Sequence, residues 1–393
     1  MNHSKRILPI IIFSQFCCTS LWFAGNGVMD DLILSFQLQE SALGHLTSAV
    51  QFGFISGTFI FALLSIADRF SPSKVFFLSA AAGAIFNVAM VLESNGFLSL
   101  LIFRFLTGFF LAGIYPIGMK IAADYYESGL GKSLSYLVGA LVLGSAFPHF
   151  LKGFTEEVGW EAVLYSTSVL SVFGGLLILL VPNGPFRKAS QKIDLTALFK
   201  VFKNGEFKAA AFGYFGHMWE LYAFWAFIPV MLASYSSLHP DSNFNIPLLT
   251  FMIIGIGGLA CAPFGIMAQK IGNKKTAIFA LSLSGICCLV SPLFFLIDSP
   301  TLFVGFLLFW GIVVIVDSPL FSTLVAKNAE PKLKGTALTI VNCVGFSITI
   351  VSIQLLTALR DVINPTFMFA LLALGPAFGL MALYRKNEKT TDI

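Results

Sequence analysis

Residues 7–29 read ILPIIIFSQFCCTSLWFAGNGVM, an apolar run with only scattered small polar groups. At 1.5 Å per residue, a helix of that length crosses the roughly 30 Å hydrocarbon core of a bilayer. Backbone amides find no water there, so a spanning segment must be a helix or belong to a closed barrel. Barrel strands are short and alternate apolar with polar residues. This run is long and continuous, so it reads as a helix. Similar runs recur to the far end of the chain.

Composition points the same way. Of 393 residues, 57% are hydrophobic and 11% charged, against about 25% charged in a soluble domain. Spans are expected near 7–29, 45–67, 74–93, 97–120, 133–151, 160–181, 209–234, 247–268, 276–296, 300–326, 335–358 and 364–384. The polar, basic stretch 182–208 (PNGPFRKASQKIDLTALFKVFKNGEFK) divides them six and six. The expected organisation is a helical bundle over 1–181, a basic linker over 182–208 and a second bundle over 209–393.

Lysine and arginine accumulate on the cytoplasmic side of membrane proteins. With the N-terminus placed there, 21 of the 24 fall on that side, in the tails, the linker and the loops after even-numbered spans. Lys152 and Arg360 fall on the other side, and Arg104 lies within span 4. Both termini are thus expected in the cytoplasm, in a bacterial inner membrane or a plasma membrane. The halves also repeat. Asp68-Arg69-Phe70-Ser71-Pro72-Ser73-Lys74 follows span 2, and Gln269-Lys270-Ile271-Gly272-Asn273-Lys274-Lys275 follows span 8, 201 residues later.

Several function classes are excluded. No basic run interleaved with aromatics suggests nucleic acid. No phosphate-cradling glycine loop followed by Lys-Ser/Thr is present, and no nucleophile–base constellation recurs, so neither a pump driven by ATP nor an enzyme is expected. Six cysteines (Cys17, Cys18, Cys261, Cys287, Cys288, Cys343) fall inside spans without metal-ligand spacing. They read as small apolar fillers, and no metal or cofactor is expected.

Charged groups in hydrocarbon cost at least about 2.5–3.5 kcal/mol each, so those inside the spans point to function. Arg104 shares a helix face with Gly108, Leu111 and Tyr115. It reads as a cavity-facing clamp for an anionic group or an acidic side chain, or as a structural ion pair or a snorkelling cation. Glu220 and His217 lie three residues apart in span 7, with Tyr214, Trp219, Tyr222 and Trp225 around them. They read as a proton-accepting pair or an interhelical clamp. The repeat maps Glu220 onto Thr19, in a polar stripe of Gln15, Thr19, Trp22 and Asn26. That stripe suits substrate contact or helix packing equally. Asp317, with Trp310 on its face, reads as a substrate or proton site or as a gate charge. Asn342 suits substrate contact or a bond to a neighbouring helix. His149 after Pro148 reads as interfacial.

The chain resembles the major facilitator superfamily over essentially its whole length. The loop SIADRFSPSK (65–74) is similar to the family's signature after the second helix, with Ser71 where the family usually has Gly. RFLTGFFLAGIYPIGMK resembles its fourth-helix signature through Arg104, Gly108, Gly113 and Pro116. The resemblance implies an all-α integral membrane fold of twelve helices in two pseudo-symmetric six-helix bundles, working by alternating access. It also implies that Asp68 and Arg69 form a cytoplasmic lock between the bundles. GHMWELYAFWAFIP and VDSPLFSTLVA look like a nitrate/nitrite- or cyanate-permease branch, although spans 2 and 8 lack that branch's paired arginines. Gly139, Gly144 and Pro148 echo part of the drug-antiporter signature in helix 5. The leading expectation is a monomeric, proton-coupled importer of a small organic solute, with anions among the candidates. An exporter of amphipathic compounds is the alternative, and a sensor that has lost transport is the alternative of another class.

Overall fold

The computed structural model describes residues 4–126, 130–154, 159–187, 201–330 and 333–384. The first crossing, α1 (Ser4–Thr19), is interrupted after Thr19 and resumes as the short helix Ala24–Gly27. A further helix, Met29–Ser35, then leads out of it. Eleven more helices are long and apolar enough to cross a membrane. They are α2 (Ala42–Leu63), α3 (Pro72–Ala89), α4 (Phe97–Tyr125), α5 (Ser133–Lys152), α6 (Glu161–Ile178), α7 (Gly205–Leu238), α8 (Ile246–Ile271), α9 (Asn273–Leu296), α10 (Pro300–Asn328), α11 (Lys334–Leu359) and α12 (Pro365–Tyr384). No strand occurs among the described residues. An even number of crossings puts both chain ends on one face, the terminal face. The opposite one is the far face.

The two halves are built alike. In the first, α1 packs on α5 and α6, α2 on α4, and α3 on α6. In the second, α7 packs on α11 and α12, α8 on α10, and α9 on α12. The halves meet along α2–α11 and α5–α8, which are themselves related by the repeat. Lipid offers no hydrophobic drive between helices, so close backbone approach and interhelical bonds must hold them. Gly108 of α4 lies on the Val50 carbonyl of α2, and Gly311 of α10 lies on the Ile253 carbonyl of α8. Any Cβ at either position would clash with main chain.

Three crossings are interrupted. In α1, the Thr19 and Ser20 hydroxyls donate back to Gln15 O (2.8 Å) and Cys17 O (2.7 Å), bonds that bend helices. α4 breaks at Ala112–Ile114 and restarts at Tyr115, and α10 breaks at Val314–Asp317 and restarts at Ser318. Pro116 and Pro319 follow these breaks as the second residue of the new helix, where the missing N–H leaves no bond unmade. α7 is continuous over its full length, capped at its start by Asn204 Oδ1, which accepts from the Glu206 and Phe207 amides.

The repeated loops differ in backbone. Gly272 has φ +94°, a conformation that favours glycine. Ser71 has φ −63°, so serine stands there without strain.

Candidate functional site

A cleft of about 900 Å³ opens between the halves at the far face. One wall is formed by the end of the first crossing and by α5, with Asn26, Asp30, Asp31, His149 and Lys152. The other is formed by α7 and α8, largely uncharged, with Ala226, Pro229, Val230, Ser234 and Thr250. Glu40, Arg360 and Asp361 also line it. Two ion pairs hold its rim. Lys152 lies 2.8 Å from Asp31, and Arg360 lies 2.9 Å from Glu40, joining α11 of the second half to the loop before α2. The two basic residues that break the charge bias of the loops are therefore both paired. His149 is 3% exposed in the cleft wall rather than interfacial, because α5 faces α1 and α8 over this stretch and not lipid.

Aromatic rings from both halves meet at the centre. Trp22 stacks on Tyr222 (centroids 5.8 Å) and on Phe346 (5.7 Å), Phe23 meets Trp225 (5.9 Å), and Phe54 meets Phe346 (4.5 Å). Trp22, Phe23 and Phe54 belong to the first half and the others to the second. Asn26 and Ala226, which line the cleft, follow closely on Trp22 and Trp225 in the chain. The aromatic cluster thus lies directly beneath the cleft.

Glu220, 1% exposed, is held by three donors from two helices. The Trp310 indole N–H donates to Oε1 at 2.6 Å, the Ser284 hydroxyl to Oε2 at 2.9 Å, and the Cys288 thiol to Oε1 at 3.3 Å. Three residues earlier, His217 Nδ1 lies 2.8 Å from Asp317 Oδ1, with both side chains 1% exposed. Glu220 and His217 are therefore not partners, although they share a helix face. Each turns to a different point on α10. The contacts are reciprocal, since α7 supplies the acid at one and the imidazole at the other. Asp317 occupies the N-cap position of the restarted α10, where the unpaired helix N–H groups favour negative charge. Protonating Glu220 would turn an acceptor oxygen into a donor and disrupt the three-donor set. The charge state of this acid is thereby tied to how α7, α9 and α10 pack.

Arg104 is fully buried and meets no carboxylate among the described residues. Its guanidinium donates to Leu21 O (3.3 Å), Trp22 O (2.7 Å) and Asn26 Oδ1 (3.3 Å). Those carbonyls belong to the interruption in α1. Irregular backbone at membrane depth persists only when its freed groups find partners, and Arg104 supplies them. The ion-pair expectation is therefore not met among the described residues: two acceptors are main-chain carbonyls freed by the break, and the third is the Asn26 side-chain oxygen.

The polar groups of the α1 stripe bond or pack within the first half, although the Trp22 ring also stacks on the second. Trp22 Nε1–H donates to Gln51 Oε1 (3.3 Å), Asn26 Nδ2 to Thr47 Oγ1 (2.7 Å), Thr19 packs on Gly144, and Gln15 packs on Gly118. Of the four, Asn26 alone lines the cleft. Trp219 turns outward to α12 and donates to Leu371 O (3.4 Å). Trp310 serves Glu220. Tyr115 is half-buried at the restart of α4, and Asn342 is half-buried on α11. Asp68 pairs with Lys120 (2.8 Å) inside the first half, and Arg187 donates to the carbonyls of Asp68 and Phe70. Arg69 is exposed. Sequence reasoning missed Ser284 and Cys288. Their i, i+4 spacing on α9 was the available signal, and Cys288 is a donor rather than a filler.

The family model described as Major Facilitator Superfamily matches residues 11–353. A protein of Aspergillus candidus, the MFS-type transporter acdC, is 30% identical over 139 residues, which is 34% of this chain and 27% of that one. The match thus spans little more than a quarter of the relative's length. Three solved structures share the fold. The proton:xylose symporter XylE has TM-score 0.75 at 14% identity, covering 96% of this chain and 94% of that one. A bacterial homologue of the human lysosomal transporter Spinster has 0.71 at 13%, covering 98% and 97%. A single-residue mutant of the nucleoside transporter NupG has 0.70 at 18%, covering 98% and 100%.

Proposed function

The chain belongs to the major facilitator superfamily, and from that premise we propose that it is a secondary active transporter driven by protons, moving a small organic solute through the cleft by alternating access. The observation that carries the coupling is the pair of buried acids joining α7 to α10. Glu220 is bonded to Trp310, and Asp317 to His217. A carboxyl held this far from water is costly to keep charged without its partners. Gaining or losing a proton there changes which helix contacts are favourable. Arg104 is committed to the α1 backbone, so the case for an anionic solute loses its anchor. The terminal face is assigned to the cytoplasm on the loop charges, in a bacterial inner membrane or a plasma membrane.

Proteoliposomes test this. Solute accumulation that follows an imposed proton gradient and is lost in Glu220→Gln supports coupling. Accumulation indifferent to the gradient overturns it. Export of amphipathic compounds is the second reading, favoured by the aromatic cluster between the halves. A changed drug sensitivity on expression would support it.

A further inference from the structure

We propose that the far-face cleft is a binding site for an organic cation, an amine or quaternary ammonium carried on an apolar or aromatic body. The proposal rests on the transporter reading for its purpose but not for its test. Four carboxylates line the cleft, from Asp30, Asp31, Glu40 and Asp361. Two cations face them, and each is already engaged: Lys152 with Asp31 and Arg360 with Glu40. Asp30 and Asp361 are the surplus, so the cleft carries net negative charge. A cleft lined with one sign of charge raises the local concentration of the opposite ion.

Charge at the rim alone would not make a site, but a second observation marks the wall. His149 is 3% exposed, lines the cleft, and its Nε2 has no partner. A buried imidazole nitrogen left without a hydrogen bond is costly, and a ligand with a polar group beside its charge would satisfy it. Asn26, 7% exposed, presents a second polar side chain in the same wall.

Within the cleft, Phe244 supplies an aromatic ring, and Met29, Ile33, Leu43 and Val230 supply apolar surface. Aromatic faces attract cations, and best when water is excluded. An anion would meet surplus carboxylates, which repel it. A neutral sugar-like solute would leave the charge asymmetry unused. An organic cation matches the carboxylates, the unpartnered imidazole and the apolar lining together.

The test is equilibrium binding to the purified full-length protein in detergent, with tetraphenylphosphonium and tetraphenylborate as probes of the same shape and opposite charge. Preferential binding of the cation is expected. It should weaken as salt is raised, because exposed charges are screened. The double variant Asp30→Asn/Asp361→Asn should bind the cation at least tenfold more weakly. Thermal unfolding of each variant checks the fold, and Asp361→Lys at the open rim provides a second neutralising change. Equal binding of both probes, or cation binding unchanged in the double variant, overturns the proposal. No proton gradient enters this measurement. A protein that binds the cation but ignores the gradient keeps the site and loses the coupling, and the reverse result loses only the site.

Discussion

Pro116 in α4 and Pro319 in α10 follow equivalent breaks, 203 residues apart. The residue at the N-cap position of the restarted helix is Ile114 in the first half and Asp317 in the second. The same contrast runs through both interiors. The first half interrupts α1 and fills the break with a cation, Arg104, bonded to neutral carbonyls. The second half keeps α7 continuous and buries two acids between α7 and α10, one on each. A cation bonded to main-chain carbonyls has no partner whose charge can change, which suits a brace. An acid bonded to donors can gain or lose a proton, which suits a switch. The repeat thus supplies one framework twice, with a different bonding pattern at the centre of each half.

The strongest challenge to this contrast comes from Glu220→Gln and Asp317→Asn. Both are expected to reduce gradient-driven accumulation to the level of protein-free vesicles while leaving solute binding intact, as read by uptake and binding on the same preparations. Loss of binding together with uptake would make these acids substrate contacts instead. Arg104→Ala is expected to destabilise the protein by about 2–4 kcal/mol, since it strands buried carbonyls and leaves a void. Thermal unfolding reads this directly. Undiminished stability with lost solute binding would return Arg104 to the cavity. Gly272→Ala is expected to cost about 1 kcal/mol, because L residues resist its left-handed conformation. Ser71→Ala, at the equivalent turn, should be nearly neutral, and equal costs would erase the difference between the two loops.

The smallest effect concerns the far face. The Asp30 carboxyl is pushed above its ordinary value by removal from water and by Asp31 and Glu40, against the pull of Arg360 and Lys152. The folded protein therefore holds this proton more tightly than the unfolded chain, and the ionised form costs stability at neutral pH. Asp30→Asn should raise Tm slightly at pH 7. The gain should fade as pH falls through the raised value and vanish below the ordinary value of about 3.9. A gain that persists in acid would point to packing rather than charge.

Twelve crossings, their order and the duplication of the halves were legible in the chain, because span length and loop charge are local properties set by the bilayer. Which charged residues lie in the interior was also legible, since buried charge is expensive and therefore rare. Their partners were not. His217 and Glu220 share a face of α7, yet the rotation of α10 sends one to Asp317 and the other to Trp310. Arg104 found carbonyls instead of a carboxylate because α1 breaks beside it, and nothing in the 4-3-4 spacing of the α1 stripe announces that break. His149 became part of a cleft wall only when α5 met α1 and α8. A helix displays its polar face in its own sequence, but what that face touches depends on how neighbouring helices rotate and approach, and those contacts join residues far apart in the chain.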